Sequence, residues 1–108
     1  MMRQPLFGKS VEYADNRISL FSAQWGKCAV TGKEFTSPDS IHCHHIIPRE
    51  KGGSDKYQNL MLILQPVHKL IHATRMETID YYLSILNLSD KQREKVNELR
   101  AKAGYNTI

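Results

Sequence analysis

All five histidines of the chain, His42, His44, His45, His68 and His72, fall between Ile41 and Ala73, and Asn59 lies between the two groups they form. Imidazole is the commonest nitrogen ligand of divalent metals and the side chain whose charge changes near neutral pH, so such a cluster can hold an ion and move a proton. His68 and His72, four residues apart, would share one face of a helix and reach one ion without strain, although the same spacing also occurs on plain helix surfaces and in cores. His44 and His45 are adjacent, so on a strand they face opposite sides and must divide the labour. One can complete a metal site while the other faces a water, for which an imidazole with the ordinary pKa of about 6.5 is a suitable base. An ion that stabilises charge developing on a phosphate, together with such a base, is what phosphodiester hydrolysis requires.

The elements that must position these groups are legible around them. Ile41 to Ile47 is rich in β-compatible residues and predicts a strand that carries the His-His pair and stops at Pro48. Residues 49–59 combine Gly52-Gly53 with Ser54, Asp55, Lys56 and Gln58, a solvated loop of turn formers. Leu60 to Leu64 is a continuous apolar strand, and Pro66 suits the first turn of a helix with Val67, Leu70 and Ile71 inward. The core is therefore strand, loop, strand, helix.

Upstream, Asp15 is placed to cap a helix from about Asn16 to Trp25, with Ile18, Phe21 and Trp25 as its core stripe and Gly26 as its stop. Lys27 to Val30 predicts a short strand, Thr31-Gly32 a turn, and Lys33 to Phe35 a return strand. Ser37 to Ser40 is a loop. Downstream, Ile79, Tyr82, Leu83 and Leu86 form a helical stripe, and Ser89 with Gln92 makes a capping box for a last helix from about Asp90 to Ala103. Glu98 and Lys102 form an i, i+4 pair there, and Gly104 is a C-terminal stop. Trp25, Tyr57, Tyr81 and Tyr82 are expected to pack rather than stack on bases, because no aromatic is interleaved with the basic residues.

A chain of 108 residues with 41% hydrophobic and 24% charged residues suits one ordinary globular domain over 1–108, and its longest apolar run is too short for a membrane span. Met1 to Ser10 contains no apolar core of the kind a secretory signal needs, and Cys28 and Cys43 are expected to be reduced thiols, so a cytoplasmic setting is expected. The net charge of +4 and pI near 9.2 favour a polyanionic partner. Arg49, Lys51 and Lys56, in the loop beside the histidines, are candidate contacts to DNA phosphates. His42 shares the strand face of His44, which suits a phosphate contact, the orientation of a metal ligand, or an exposed strand position alike.

Cys28 to Gly32, Ile41 to Arg49, Lys51 to Asp55, Asn59-Leu60 and Val67 to His72 together resemble the HNH endonuclease family over about residues 27–73, in order, spacing and the Gly-Gly loop. In particular the segment resembles the C-terminal HNH domain of group II intron reverse transcriptase/maturases, which cuts one DNA strand to prime reverse transcription. The resemblance implies an α+β fold with a ββα-metal (His-Me finger) core flanked by N- and C-terminal helices, the latter over about 76–104. It implies His45 as general base, His44, His68 and His72 as ligands of one divalent ion (Mg, Mn, Zn or Ni), and Asn59 either touching the metal or tying the loop so that His45 keeps its orientation. DNA would be the substrate, with 5′-phosphate and 3′-hydroxyl ends as products, and intron RNA a partner reached through a larger reverse transcriptase. The start at Met1 would then suggest a domain expressed apart from, or encoded without, its polymerase. A non-catalytic zinc-stabilised nucleic-acid-binding module is the alternative.

The sequence also departs from the resemblance. Many intron-type relatives carry two Cys-x-x-Cys pairs that hold a structural zinc, whereas Thr31 stands where the second cysteine of the first pair would be and Val67 precedes His68. Only Cys28 remains of that set, so four-thiolate zinc binding is not available. Cys43, on the His strand, is expected to be a small buried side chain rather than a ligand.

Overall fold

The computed structural model describes residues 11–108, so the reading of Met1 to Ser10 lies outside the described residues. Its centre is a two-stranded antiparallel sheet of β1 (Ile41–His45) and β2 (Leu60–Leu64), in register from Ile41 opposite Leu64 to His45 opposite Leu60. Helix α1 (Val11–Ala23) lies against β2, and α2 (Gln65–His72) follows β2 directly and packs on α3 (Met76–Leu86) and α4 (Asp90–Ala103). This is the expected α+β architecture with a ββα core and helical flanks.

Strand alternation sorts the residues into two layers. Leu60 and Leu62 join Tyr13 and Leu20 in a small cluster under α1, while Ile63 joins Val67, Leu70, Ile71, Ile79, Leu86, Val96 and Leu99 in the larger core. By the same alternation His42 and His44 stand over α2, and Cys43 and His45 face α1. An eight-residue helix is marginal alone, so α2 depends on burying Val67, Leu70 and Ile71, each worth about 1.5–3 kcal/mol. Pro66 sits in its first turn as expected.

The far end of α2 is held by a residue the sequence did not single out. Arg100, only 3% exposed, donates from Nη1 to the carbonyls of Leu70 and Ala73 at 2.8 Å and of Ile71 at 3.3 Å, and from Nε to Asn106 at 2.7 Å. One guanidinium thus satisfies the carbonyls that a helix end leaves open and complements the negative end of its dipole.

The loop between the strands is closed by its glycines and by Asn59. Gly53 approaches the Ile47 backbone so closely that a Cβ there would collide with the Ile47 carbonyl, and Gly52 adopts a left-handed φ of 92° after a short 3-10 turn at Arg49–Lys51. At the C-terminal end the Ser89–Gln92 capping box of α4 and the stop at Gly104 form as predicted.

Several expectations are corrected. Helix α1 begins by Val11, so Asp15 lies within it and caps nothing. Its predicted core stripe faces outward, with Ile18 70%, Phe21 43% and Trp25 83% exposed. The inner face is instead Tyr13, Asn16, Leu20 and Gln24, half of it polar, with Gln24 bonded to the backbone of Leu62 at 2.9 and 3.1 Å. Polar anchoring defeats a reading based on apolar periodicity alone. Tyr57 and Tyr81 are also exposed rather than packed, whereas Tyr82 packs on the core. The predicted strands at 27–30 and 33–35 reduce to one bridge, Lys27 to Glu34, around the turn at Gly32. Glu98 accepts its hydrogen bond from Lys95 at 3.1 Å, with Lys102 contributing only field. Cys28 and Cys43 are not joined in a disulfide, in line with the expectation of reduced thiols.

Replacing Arg100 by Met should lower stability by about 2–4 kcal/mol, since it strands several buried carbonyls, and Lys should not restore it because a point ammonium cannot span them. Urea midpoints that match between the parent and the Met variant would remove Arg100 from this role.

Candidate metal centre

Strand β1 delivers His44 to the α2 face, and α2 delivers His68 and His72 one turn apart to meet it. The ring of His44 lies 5.3 Å from that of His68 and 5.4 Å from that of His72, and the latter two are 4.9 Å apart. One nitrogen from each ring falls within 4.8 Å of the others, a spacing that a single ion bonded at about 2.1 Å closes with modest ring rotations. His44 is 1% exposed, and neither of its ring nitrogens has a hydrogen-bond partner. A buried polar atom without a partner costs about 1–3 kcal/mol, and a cation at the cluster centre is the group that would satisfy it. The residues therefore fit a divalent metal. Cys43 is not among the convergent ligands.

The outer nitrogens of the other two rings are engaged. His68 Nδ1 lies 2.9 Å from His42 Nδ1, and His72 Nδ1 lies 3.3 Å from the Tyr105 hydroxyl. Partners at Nδ1 leave Nε2 of each ring for an ion and fix its tautomer. His42, which the sequence left open as a phosphate contact, an orienting group or an exposed strand residue, lies against the ring of His68. Tyr105, from the segment after α4, went unnoticed in the sequence because it lies 33 residues from its partner.

Electrostatics keeps these rings neutral. Burial, reinforced by His68, His72 and His45, pushes His44 down to about 3, and burial with His72, His42, Lys69 and His45 pushes His68 down to about 4. His72 and His42 are lowered as well, chiefly by burial, with Glu50 opposing the shift at His72. Neutral imidazoles at pH 7 present lone pairs, which is what a metal needs.

His45, last in β1, faces the other way yet lines the same cleft of about 250 Å³ as His44, His68 and His72, together with Arg49, Glu50 and Tyr105. Its Nε2 lies 2.8 Å from Asp55 Oδ1, and Arg49 Nη2 reaches both Asp55 oxygens at 2.8 and 2.9 Å. Arg49 Nε also lies 3.4 Å from His45 Nε2. Both cannot hold as hydrogen bonds at one nitrogen, and the shorter contact to the carboxylate, which can only accept, is the governing one. Tyr13 stacks on His45 with ring centres 5.7 Å apart and planes within 10°. Asp55 and Tyr13 were missed in the sequence. Asp55 reads as one more turn former after Gly52-Gly53, although a carboxylate near a proposed base histidine is a signal worth seeking.

Asn59 is wholly committed to backbone. Its Nδ2 donates to Ile47 O at 3.1 Å and Ser54 O at 2.8 Å, and its Oδ1 accepts from Ile47 N at 2.8 Å. These contacts tie Ile47 to Ser54 across the loop. Lys51 and Lys56 are exposed on the loop, and Arg49 is braced by Asp55 with part of its surface open.

Residues 27–74 match the family model described as HNH endonuclease. No curated protein matches the chain. The matched segment contains both strands, α2 and all five histidines, and excludes α1, α3, α4 and Tyr105. Match and geometry together support HNH kinship, a family of metal-dependent nucleases acting on DNA, and identify the core as a ββα-metal fold. Among the described residues no helix is long and apolar enough to cross a membrane.

Two outcomes are expected. Because the folded pKa values of about 3 and 4 lie below the unfolded value near 6.5, the unfolded metal-free chain binds protons that the folded one refuses. Stability should be insensitive to these groups above about pH 6.5 and should fall between there and about pH 4, by up to about 1.4 kcal/mol per pH unit for each ring. Urea midpoints that stay constant from pH 7 to 5 would contradict this. Tyr105→Phe should weaken Zn²⁺ or Ni²⁺ binding about 10-fold to 100-fold by calorimetry, and an unchanged affinity would mean the hydroxyl does not hold His72.

Proposed function

We propose that this chain is a metal-dependent DNA endonuclease of the HNH type that cuts one strand, acting as a single cytoplasmic domain in the service of a group II intron or related mobile-element reverse transcriptase. The observation that carries this reading is the single cleft shared by the His44, His68 and His72 cluster and by His45. His44, His68 and His72 would hold the ion, and three neutral imidazoles favour Zn²⁺, Ni²⁺ or Mn²⁺ over Mg²⁺. When bound, such an ion supplies Lewis-acid stabilisation of the charge that develops on the scissile phosphate and the leaving oxygen.

The remaining steps belong to the chain itself. His45 takes the proton of the attacking water, whose oxygen bonds to phosphorus as the bond to the 3′ oxygen breaks. The ends are a 5′-phosphate and a 3′-hydroxyl, and a free 3′-hydroxyl is what a reverse transcriptase extends, which supports the mobile-element context. Asn59 holds Ile47 and Ser54 together so that the loop after His45 keeps its path. Lys51, Lys56 and the open flank of Arg49 receive the DNA phosphates, in keeping with the net charge of +4. Intron RNA would be met through the larger reverse transcriptase.

Supercoiled plasmid should be converted to the nicked form when Mn²⁺, Ni²⁺, Zn²⁺ or Mg²⁺ is added. His45→Ala should lose about 10²-fold to 10⁴-fold in rate while still binding metal, whereas His44→Ala should lose both. Nicking unchanged in His45→Ala overturns the assignment of the base. Plasmid left intact by a metal-loaded parent protein favours the non-catalytic zinc module instead.

A further inference from the structure

We propose that Asp55 is a positioning residue that fixes the tautomer and aim of His45, and that α1, outside the matched segment, completes this device through Tyr13 and Asn16. The proposal rests on the reading of His45 as the base, but its geometry is independent of any metal. An ionised carboxylate only accepts, so the 2.8 Å contact from Asp55 Oδ1 places the proton of the neutral ring on His45 Nε2. Nδ1 is then the nitrogen with a free lone pair, the one able to take a proton from water. When it does, the resulting imidazolium keeps its Nε2 hydrogen bond to Asp55, now charge-assisted and stronger.

Each freedom that could spoil this arrangement is removed by a named contact. Arg49 binds both oxygens of Asp55 through Nη2, which sets the plane of the carboxylate. Asn16 Nδ2 donates to the Asp55 backbone carbonyl at 2.8 Å, so α1 clamps the loop at the residue that matters. The Tyr13 ring covers one face of His45 and opposes rotation of the imidazole. The Gln24 bonds to Leu62 and Lys27 anchor the other end of α1, so both clamps sit on a fixed helix. Arg49, read from sequence as a phosphate contact, is in this account first a brace.

The test uses the full chain and reads His45 directly by long-range ¹H–¹⁵N NMR at neutral pH. The parent protein should show the Nε2–H form of His45 and ring-current-shifted imidazole protons. Asp55→Asn, whose amide can donate to Nε2, should move His45 toward the Nδ1–H form and lower kcat for nicking about 10²-fold to 10⁴-fold with KM and metal affinity unchanged. Asp55→Glu should restore part of both signals. Tyr13→Leu should abolish the ring-current shift, and Tyr13→Phe should retain it. Should Asp55→Asn fail to fold by circular dichroism, Asn16→Ala reports the same clamp through a broadened His45 signal and a lowered kcat. A parent protein that lacks the Nε2–H form, unchanged Nε2–H occupancy in Asp55→Asn, or full nicking in Asp55→Asn, overturns the proposal. If the parent never nicks, the endonuclease reading fails while the NMR arms still decide the role of Asp55.

Discussion

Three imidazoles turned toward one another, with His44 buried at the back of the group, form the constraint around which the rest is arranged. His44 is the extreme case, almost fully buried with both nitrogens unsatisfied, a condition proteins generally avoid. Nothing among the described residues relieves it, and burial, reinforced by the field of the neighbouring imidazoles, disfavours relief by protonation. The fold must therefore hold the cluster together from outside. It does so through a short helix pinned at both ends, by Pro66 at its start and by Arg100 at its end, with Val67, Leu70 and Ile71 sunk into the core behind it.

That scaffold also gives Cys28 and Val67 their places. The resemblance to intron-type domains led to Thr31 and Val67 as positions where thiolates are missing. Cys28 survives with a different duty: its sulfur accepts from the backbone N–H groups of Thr31 and Leu64 at 3.5 and 3.4 Å, which ties the turn after α1 to the end of β2. Val67 lies fully buried in the same core as Cys28, and α3 and α4 supply Ile79, Leu86, Val96 and Leu99 around them. Apolar packing from the C-terminal helices thus surrounds both residues.

The parts of this molecule that were legible in its sequence are those encoded by local pattern. The apolar run Leu60 to Leu64, Pro66, the buried trio on α2, the capping box at Ser89 and the shared helix face of His68 and His72 follow from alternation, helical period or turn chemistry, while the choice of His44 over His45 as their partner came from the family resemblance. What escaped is polar and distant in sequence. Arg100 reaches back about thirty residues to cap α2, Tyr105 reaches back to His72, and Asn16 reaches forward to Asp55. Helix α1 was misread for the same reason: Asn16 and Gln24 face the sheet and loop, so hydrophobicity alone pointed to its outer side. Hydrogen bonds between remote residues leave no periodic trace.

These remote contacts bear on how much chain the site needs. The match to the HNH family ends at residue 74 and begins at 27, yet the ring of His45 is covered by Tyr13 and the ring of His72 is held by Tyr105, both outside it. Groups that orient a ligand or a base act through distances of a few tenths of an ångström, so the elements that fix them count as part of the site even when they touch no substrate. Cutting the chain to the matched segment would keep every histidine and remove α1, Arg100 and Tyr105 together. The three imidazoles would then have their sequence positions but not the frame that turns them toward one another. In this chain the flanks are therefore the condition under which the motif has a geometry.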